Sequence, residues 1–216
     1  NFNGNRQVAT INLQLNKFNI QSFSSFLKAS SDINNSSFLR SYNRITYSLN
    51  KSWLGTKIAI EDNEQKNLVT SELTPLSQKF KSYDVFYGIG DSTNVFAEIG
   101  YKNRVNDSIR NNQLQKVNTS NTFYLNSKLI KNKNTNLSIY INYRTLNHED
   151  PDIADEQSLN SRLQYNQKFF KQLIQWNTVF ETNSGALAQQ DFTYVEVEAG
   201  QGTYTWNDYN ENGIQE

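Results

Sequence analysis

Two short runs hold the residue types that site chemistry needs. Asp208-Tyr209-Asn210-Glu211-Asn212-Gly213-Ile214-Gln215-Glu216 places oxygen-bearing side chains at alternate positions ahead of a glycine. That is the spacing of an EF-hand-like calcium loop. Asp208, Asn210 and Asn212 would supply side-chain oxygens, Ile214 its carbonyl, and Glu216 a direct or water-mediated contact. Two of these ligands are neutral, the position of the bidentate acid lies past Glu216, and the same residues also make an ion-free Asn/Gly turn. The second run, His148-Glu149-Asp150, holds the single histidine. A hydrolase built on it needs His148 oriented by an acid and close to a nucleophile. Serines are too widespread to single one out, and a solvated loop histidine fits the same residues. Gly200-Gln201-Gly202 lacks the following helix pattern and lysine of a phosphate loop. These runs offer calcium as the one cofactor and lead to an expectation of no enzymatic activity.

The elements that would position such residues are strands. Thr122 to Leu129 sets Phe123, Leu125 and Leu129 on one face and Thr122, Tyr124, Asn126 and Lys128 on the other. Leu137 to Leu146 repeats the pattern, with Leu137, Ile139, Ile141, Tyr143 and Thr145 opposite Ser138, Tyr140, Asn142 and Arg144. Period-two alternation with aromatic and β-branched residues marks strands with one apolar face. Lys131–Asn136 joins these arms as a polar turn. The same alternation recurs over Val8–Asn16, Arg44–Asn50, Leu54–Glu61, Tyr83–Gly90, Val95–Asn103, Leu159–Gln167, Ile174–Glu181 and Phe192–Val197. One helical turn is predicted at Leu73–Phe80, with Thr74 as cap and Pro75 in the first helical position.

Connection lengths give the pattern a direction. Short turns at Lys51–Trp53, Asp91–Thr93, Lys131–Asn136 and Phe169–Lys171 alternate with long stretches at Lys17–Leu39, whose middle Phe23–Leu27 either extends the first strand or forms a short one, and at Asp62–Ser82, Arg104–Ser120, Asn147–Gln157 and Asn183–Gln190. An up-and-down antiparallel meander with tight turns on one rim and long loops on the other is the plan of an outer-membrane β-barrel. The two arms of the Thr122–Asn147 hairpin, roughly nine or ten residues each, are about the length that crosses a bilayer when tilted. Their apolar faces hold almost no charge, whereas Lys57, Glu61, Glu98, Lys102, Lys128, Arg144, Arg162 and Glu181 fall on the polar faces. Trp53 and Phe169-Phe170 sit on the short-turn rim, where an aromatic girdle belongs. Core aromatics or a sugar-stacking platform are the competing readings.

Composition is consistent with this. Aromatics make up 13% of the 216 residues while hydrophobic residues total 36%, a pairing suited to sheets with a single apolar face. The 21 basic and 21 acidic residues cancel, so no net field draws the chain to nucleic acid. Without cysteine there is no disulfide framework, thiol nucleophile or thiolate metal site. The chain contains no methionine and opens on Asn1, so a processed product or a section of a longer protein is expected. No run is long enough and apolar enough for a membrane helix.

The run from Asp191 to Glu216, with Tyr194-Val195-Glu196-Val197, Gly200-Gln201-Gly202-Thr203-Tyr204 and Asp208-Tyr209-Asn210-Glu211-Asn212-Gly213, resembles a segment of large outer-membrane and cell-surface β-proteins of Bacteroidota. Leu54-Gly55 through Glu61-Asp62-Asn63 is similar to another of their recurring pieces. The resemblance implies an outer-membrane or cell-surface location and a chain that is one section of a longer barrel. It implies no particular activity.

The expectation is therefore an all-β barrel section over residues 1–190, followed at 191–216 by a strand-like run, a Gly/aromatic segment and the EF-hand-like loop. Its expected role is structural, in transport, or in secretion or assembly. Its expected partners are the lipid bilayer and other outer-membrane or periplasmic proteins. The runner-up is a soluble exported β-domain that binds glycan or protein, calcium-stabilised; a barrel-embedded hydrolase using His148 is the third reading.

Overall fold

The computed structural model describes residues 2–184. The expected calcium loop and the Phe192–Val197 strand lie outside them. The described chain is one ten-stranded antiparallel sheet in which every strand pairs with its sequence neighbours. The strands are β1 Phe2–Leu15, β2 Phe18–Ser31, β3 Asn34–Ser48, β4 Ser52–Asn67, β5 Gln78–Gly90, β6 Phe96–Arg110, β7 Gln113–Lys131, β8 Thr135–His148, β9 Glu156–Phe169 and β10 Ile174–Ser184. The sheet is open, since β1 and β10 do not pair with one another.

The meander is as expected, but the strands run well past their apolar stretches. Lys17–Leu39 is not a long connection. It contains β2 and the start of β3, joined by Asp32 and Ile33 alone. Its alternation is masked because Phe23 pairs with Tyr42 on one face and Phe26 with Leu39 on the other. Arg104–Ser120 likewise continues β6 and β7 through a two-residue turn, Asn111–Asn112, whose φ values of 52° and 59° suit a tight hairpin and a residue that tolerates them. The longest connection among the described residues is Leu68–Ser77 between β4 and β5. The predicted helical turn there is a β-turn instead, closed by the Ser77 amide donating to the Thr74 carbonyl at 2.9 Å. Proline suits the second position of such a turn as well as a helix start, and β5 takes over at Gln78 before a second helical hydrogen bond can form.

Register divides the side chains into two faces. Lys57 of β4 stands opposite Asp84, Asp84 opposite Lys102, Lys102 opposite Thr122, and Thr122 opposite Arg144. The neighbouring positions Thr56, Val85, Tyr101, Phe123 and Tyr143 run in the same way on the other face. The first face is the sheltered one. Along β5 the residues Ser82, Asp84, Phe86 and Gly88 are buried, while Tyr83, Val85, Tyr87 and Ile89 are exposed. A bulge between Lys128 and Ile130 takes Leu129 out of the register expected for it beside Leu125.

Shelter comes from the sheet's own curvature. Lys57 on β4 reaches Tyr124 on β7, three strands away, with Nζ 3.4 Å from the hydroxyl. Flat strands that far apart would hold their backbones about 14 Å from each other. Long side chains leaning together across the inner face shade what lies between them. The result reverses an ordinary core. Ser25, Glu61, Ser82, Asp84, Glu98, Ser120 and Thr122 are buried, whereas Ile11, Leu54, Val85, Ile99, Phe123, Trp176 and Phe180 are exposed.

Candidate functional site: the inner face

The inner face of β3–β7 is built from pairs in which a glycine makes room for a ring. Gly55 faces Phe86, Gly88 faces Trp53 and Gly100 faces Tyr124 across adjacent strands. A methyl group at any of the three would lie within 2.3 Å of the opposing ring. Glycines in a curved sheet covered by cross-strand aromatics are a known device for holding curvature, and here they let large rings lie along the wall.

Each ring brings a polar partner. The Trp53 indole N–H donates to Glu98 at 2.8 Å. This corrects the expectation that Trp53 belongs to a rim girdle: it lies in β4 and points inward. An indole N–H needs an acceptor when buried, and Glu98 meets that need on the inner face, where Gly88 leaves room for the ring. Tyr124 donates its hydroxyl to Asp84 at 2.9 Å, and Lys57 donates to the other carboxylate oxygen at 3.3 Å. Phe86 is held between Arg44, 4.8 Å from the ring centroid, and Lys57 at 4.6 Å, each in cation–π range. Arg40 pairs with Glu61 at 3.0 Å. Every residue predicted for a polar face, from Lys57 to Glu181, projects to this side.

Other sequence-predicted residues fall elsewhere. His148 ends β8 with its backbone amide donating to Asp155 at 3.0 Å. Its Nε2 stands 3.6 Å from Glu156 and has no hydrogen-bond partner. No hydroxyl is hydrogen-bonded to Nε2 among the described residues. Asp208, Asn210, Asn212, Ile214 and Glu216 lie outside the described residues. Among the described ones no group of three or more His, Cys, Asp or Glu side chains is placed to hold a metal ion.

The outer face has its own order. Tyr101, Phe123 and Tyr143 form a row across β6, β7 and β8, with the Tyr101 and Phe123 rings 4.9 Å apart. Above them come Asn103, Asn121 and Thr145. Tyr101 donates to Asn121 at 2.7 Å and Tyr143 to Gln157 at 3.1 Å, so both rings lie on apolar neighbours and both hydroxyls point to the polar zone. Outward charges cluster past this line: Asp62 is ion-paired with Lys79, and Asp107 stands opposite Lys79. At the opposite rim Phe169, Phe170, Leu173, Ile174 and Trp176 are exposed. Alternation could reveal each face, but not the two aromatic lines, because those depend on register between strands.

Compared with known proteins, the chain matches no protein-family model and no curated protein sequence.

Proposed function

We propose that the chain is a section of an outer-membrane β-barrel with a structural, transport, or secretion- and assembly-related role rather than an enzymatic one. The observation that carries this reading is the reversed polarity of the sheet. Moving one large aliphatic side chain out of water is worth about 1.5–3 kcal/mol, and a whole domain is stable by only about 5–15 kcal/mol. Ile11, Leu54, Val85, Ile99 and Phe180 are each about half exposed, so these five alone leave a burial gain of about 4–8 kcal/mol, comparable with the stability of a whole domain. Lipid supplies that burial. The tyrosines with hydroxyls turned to the polar zone match an interfacial belt, and the exposed aromatics at Phe169, Phe170 and Trp176 match a second at the other rim. On this reading the rim of the β3–β4, β5–β6, β7–β8 and β9–β10 turns faces the periplasm, and the polar extensions of β4, β6 and β7 stand outside the membrane on the other side. The open edges of β1 and β10 need further strands, since no unpaired edge survives in lipid.

The test is refolding. The chain is diluted from denaturant into buffer, detergent micelles or lipid vesicles and followed by circular dichroism and protease protection. Ordered β-structure and protection that appear only with detergent or lipid support the membrane reading. A monomer that folds in plain buffer overturns it and leaves the soluble exported domain, for which the exposed Tyr101–Phe123–Tyr143 row would be the stacking surface.

A further inference from the structure

The acids of the inner face are already committed. Glu61 is held by Arg40 and Glu98 by Trp53. Asp84 gives one oxygen to Tyr124 and the other to Lys57, and Glu156 lies beside His148. Several cations of the same face are left over. Lys102 and Arg144 make no hydrogen bond or ion pair among the described residues, and Arg104 bonds only the Asn106 side chain and stacks on Phe80. Lys102 stands among the like charges of Arg104, Lys57 and Arg144 and near the opposite charge of Asp84, and Arg104 lies near Glu61.

Their arrangement is a cup. Lys102 and Arg104 stand on β6 and Arg144 on β8, in register with Thr122 and Ser120 on β7 between them. The outer two strands lie about 10 Å apart, a span that lysine and arginine side chains cover from either side. The floor consists of short hydroxyl side chains. Ser120 and Thr122 are 4% and 8% exposed, and neither hydroxyl bonds another described residue. Three cations share this partly sheltered face, and its carboxylates are already bonded to other groups, Asp84 to Tyr124 and Lys57 and Glu61 to Arg40, so the cations repel one another and a bound anion relieves that repulsion. Two unused hydroxyl donors between three cationic side chains fit a tetrahedral ion that accepts several hydrogen bonds at once.

We propose that Lys102, Arg104 and Arg144, over the hydroxyls of Ser120 and Thr122, form a binding site for a phosphate- or sulfate-type oxyanion of a solute entering the inner face. The site needs only the inner face to be wet. It holds whether the chain folds in lipid or in buffer, so loss of the membrane reading leaves it standing.

The full chain, in whichever medium folds it, is titrated with inorganic phosphate and with sulfate by calorimetry, with ionic strength fixed by chloride. Glucose is the neutral control. Saturable binding of phosphate or sulfate over chloride is expected, weakened about tenfold or more in Lys102→Gln/Arg144→Gln, since charge-assisted bonds are the strong ones. Arg162→Gln, whose partner is Glu181 at 3.0 Å, should leave binding within about twofold. If the double variant fails to fold, Thr122→Val removes one hydroxyl at constant shape and should still weaken binding. Absence of saturable binding overturns the site, as do equal competition by chloride and unchanged affinity in the folded variants.

Discussion

Along β5, Tyr83, Val85, Tyr87 and Ile89 are open while Ser82, Asp84, Phe86 and Gly88 are closed off. The two sets share one backbone and one run of ladder hydrogen bonds, so neither strand propensity nor pairing distinguishes them. They differ in what covers them. The inner set is covered by the protein itself, through Lys57, Trp53 and Tyr124 leaning across from β4 and β7. The outer set is covered by nothing among the described residues. A water-soluble sheet would give its cover to the apolar set, so the medium outside Val85 is the question the molecule poses.

The largest effect is expected from a charge at the centre of the outer face. In lipid, Val85→Arg should cost about 2–4 kcal/mol, the penalty of a midplane arginine on a barrel wall. In water the same change at an exposed position should stay within about 0.5 kcal/mol. Unfolding by denaturant from lipid vesicles reads the difference directly. A near-neutral Val85→Arg would mean that this face meets water.

On the inner face the glycine–ring pairs should be the most sensitive points. Gly88→Ala places a methyl group 2.1 Å from the Trp53 ring and should destabilise by about 1–3 kcal/mol, as overpacking does. Glu98→Ala strips the indole N–H of its acceptor and should cost about 1–3 kcal/mol. The two changes act on one side chain, so their effects should fall short of adding. Denaturant midpoints of the single and double variants test this, and full additivity would dissociate the ring's seat from its hydrogen bond.

These contrasts show what period-two alternation does and does not encode. The faces of Thr122–Lys128 and Leu137–Leu146 could be read directly, because Phe123 and Ile141 alternate with Tyr124 and Arg144; the bulge at Leu129 could not, because alternation carries no mark of an inserted residue. The extent of β2 could not, because Phe23 and Phe26 lie three apart and fall on opposite faces. The polar halves of β4, β6 and β7 read as loops for a related reason. Above the aromatic line both faces are hydrophilic, and a strand with no apolar face has no periodic signature. Trp53 looked like a rim residue because it follows a turn; its seat depends on Gly88, which is remote in sequence and adjacent only through register. The cationic cup was equally hidden: Lys102, Ser120, Thr122 and Arg144 come together only once three strands are aligned.

A smaller change tests the upper aromatic line. Tyr101→Phe keeps the ring on Phe123 and removes the hydroxyl bond to Asn121. The expected loss is about 0.5–1.5 kcal/mol, larger in lipid than in detergent if the hydroxyl marks the bilayer interface. The equivalent loss in both media would make Tyr101 an ordinary surface ring.

The smallest expected effect lies at the tight-turn rim. Asp91 accepts from both the hydroxyl and the amide of Thr93, at 2.7 Å and 2.9 Å. The hydroxyl bond first, and then the amide bond, hold its carboxyl below the ordinary value of 3.8, and Lys131 adds a little in the same direction. A carboxylate depressed in the folded state stabilises above its unfolded value, and that contribution is lost as pH falls through the folded one. The turn should therefore keep its two bonds down to about pH 4 and release them only below 3.8. The Thr93 amide chemical shift should titrate in that acid window, and the titration should vanish in Asp91→Asn. Full exposure makes any change in global stability small, so the amide shift is the sensitive readout. A Thr93 midpoint above 3.8 would show that the turn does not hold the charged carboxylate.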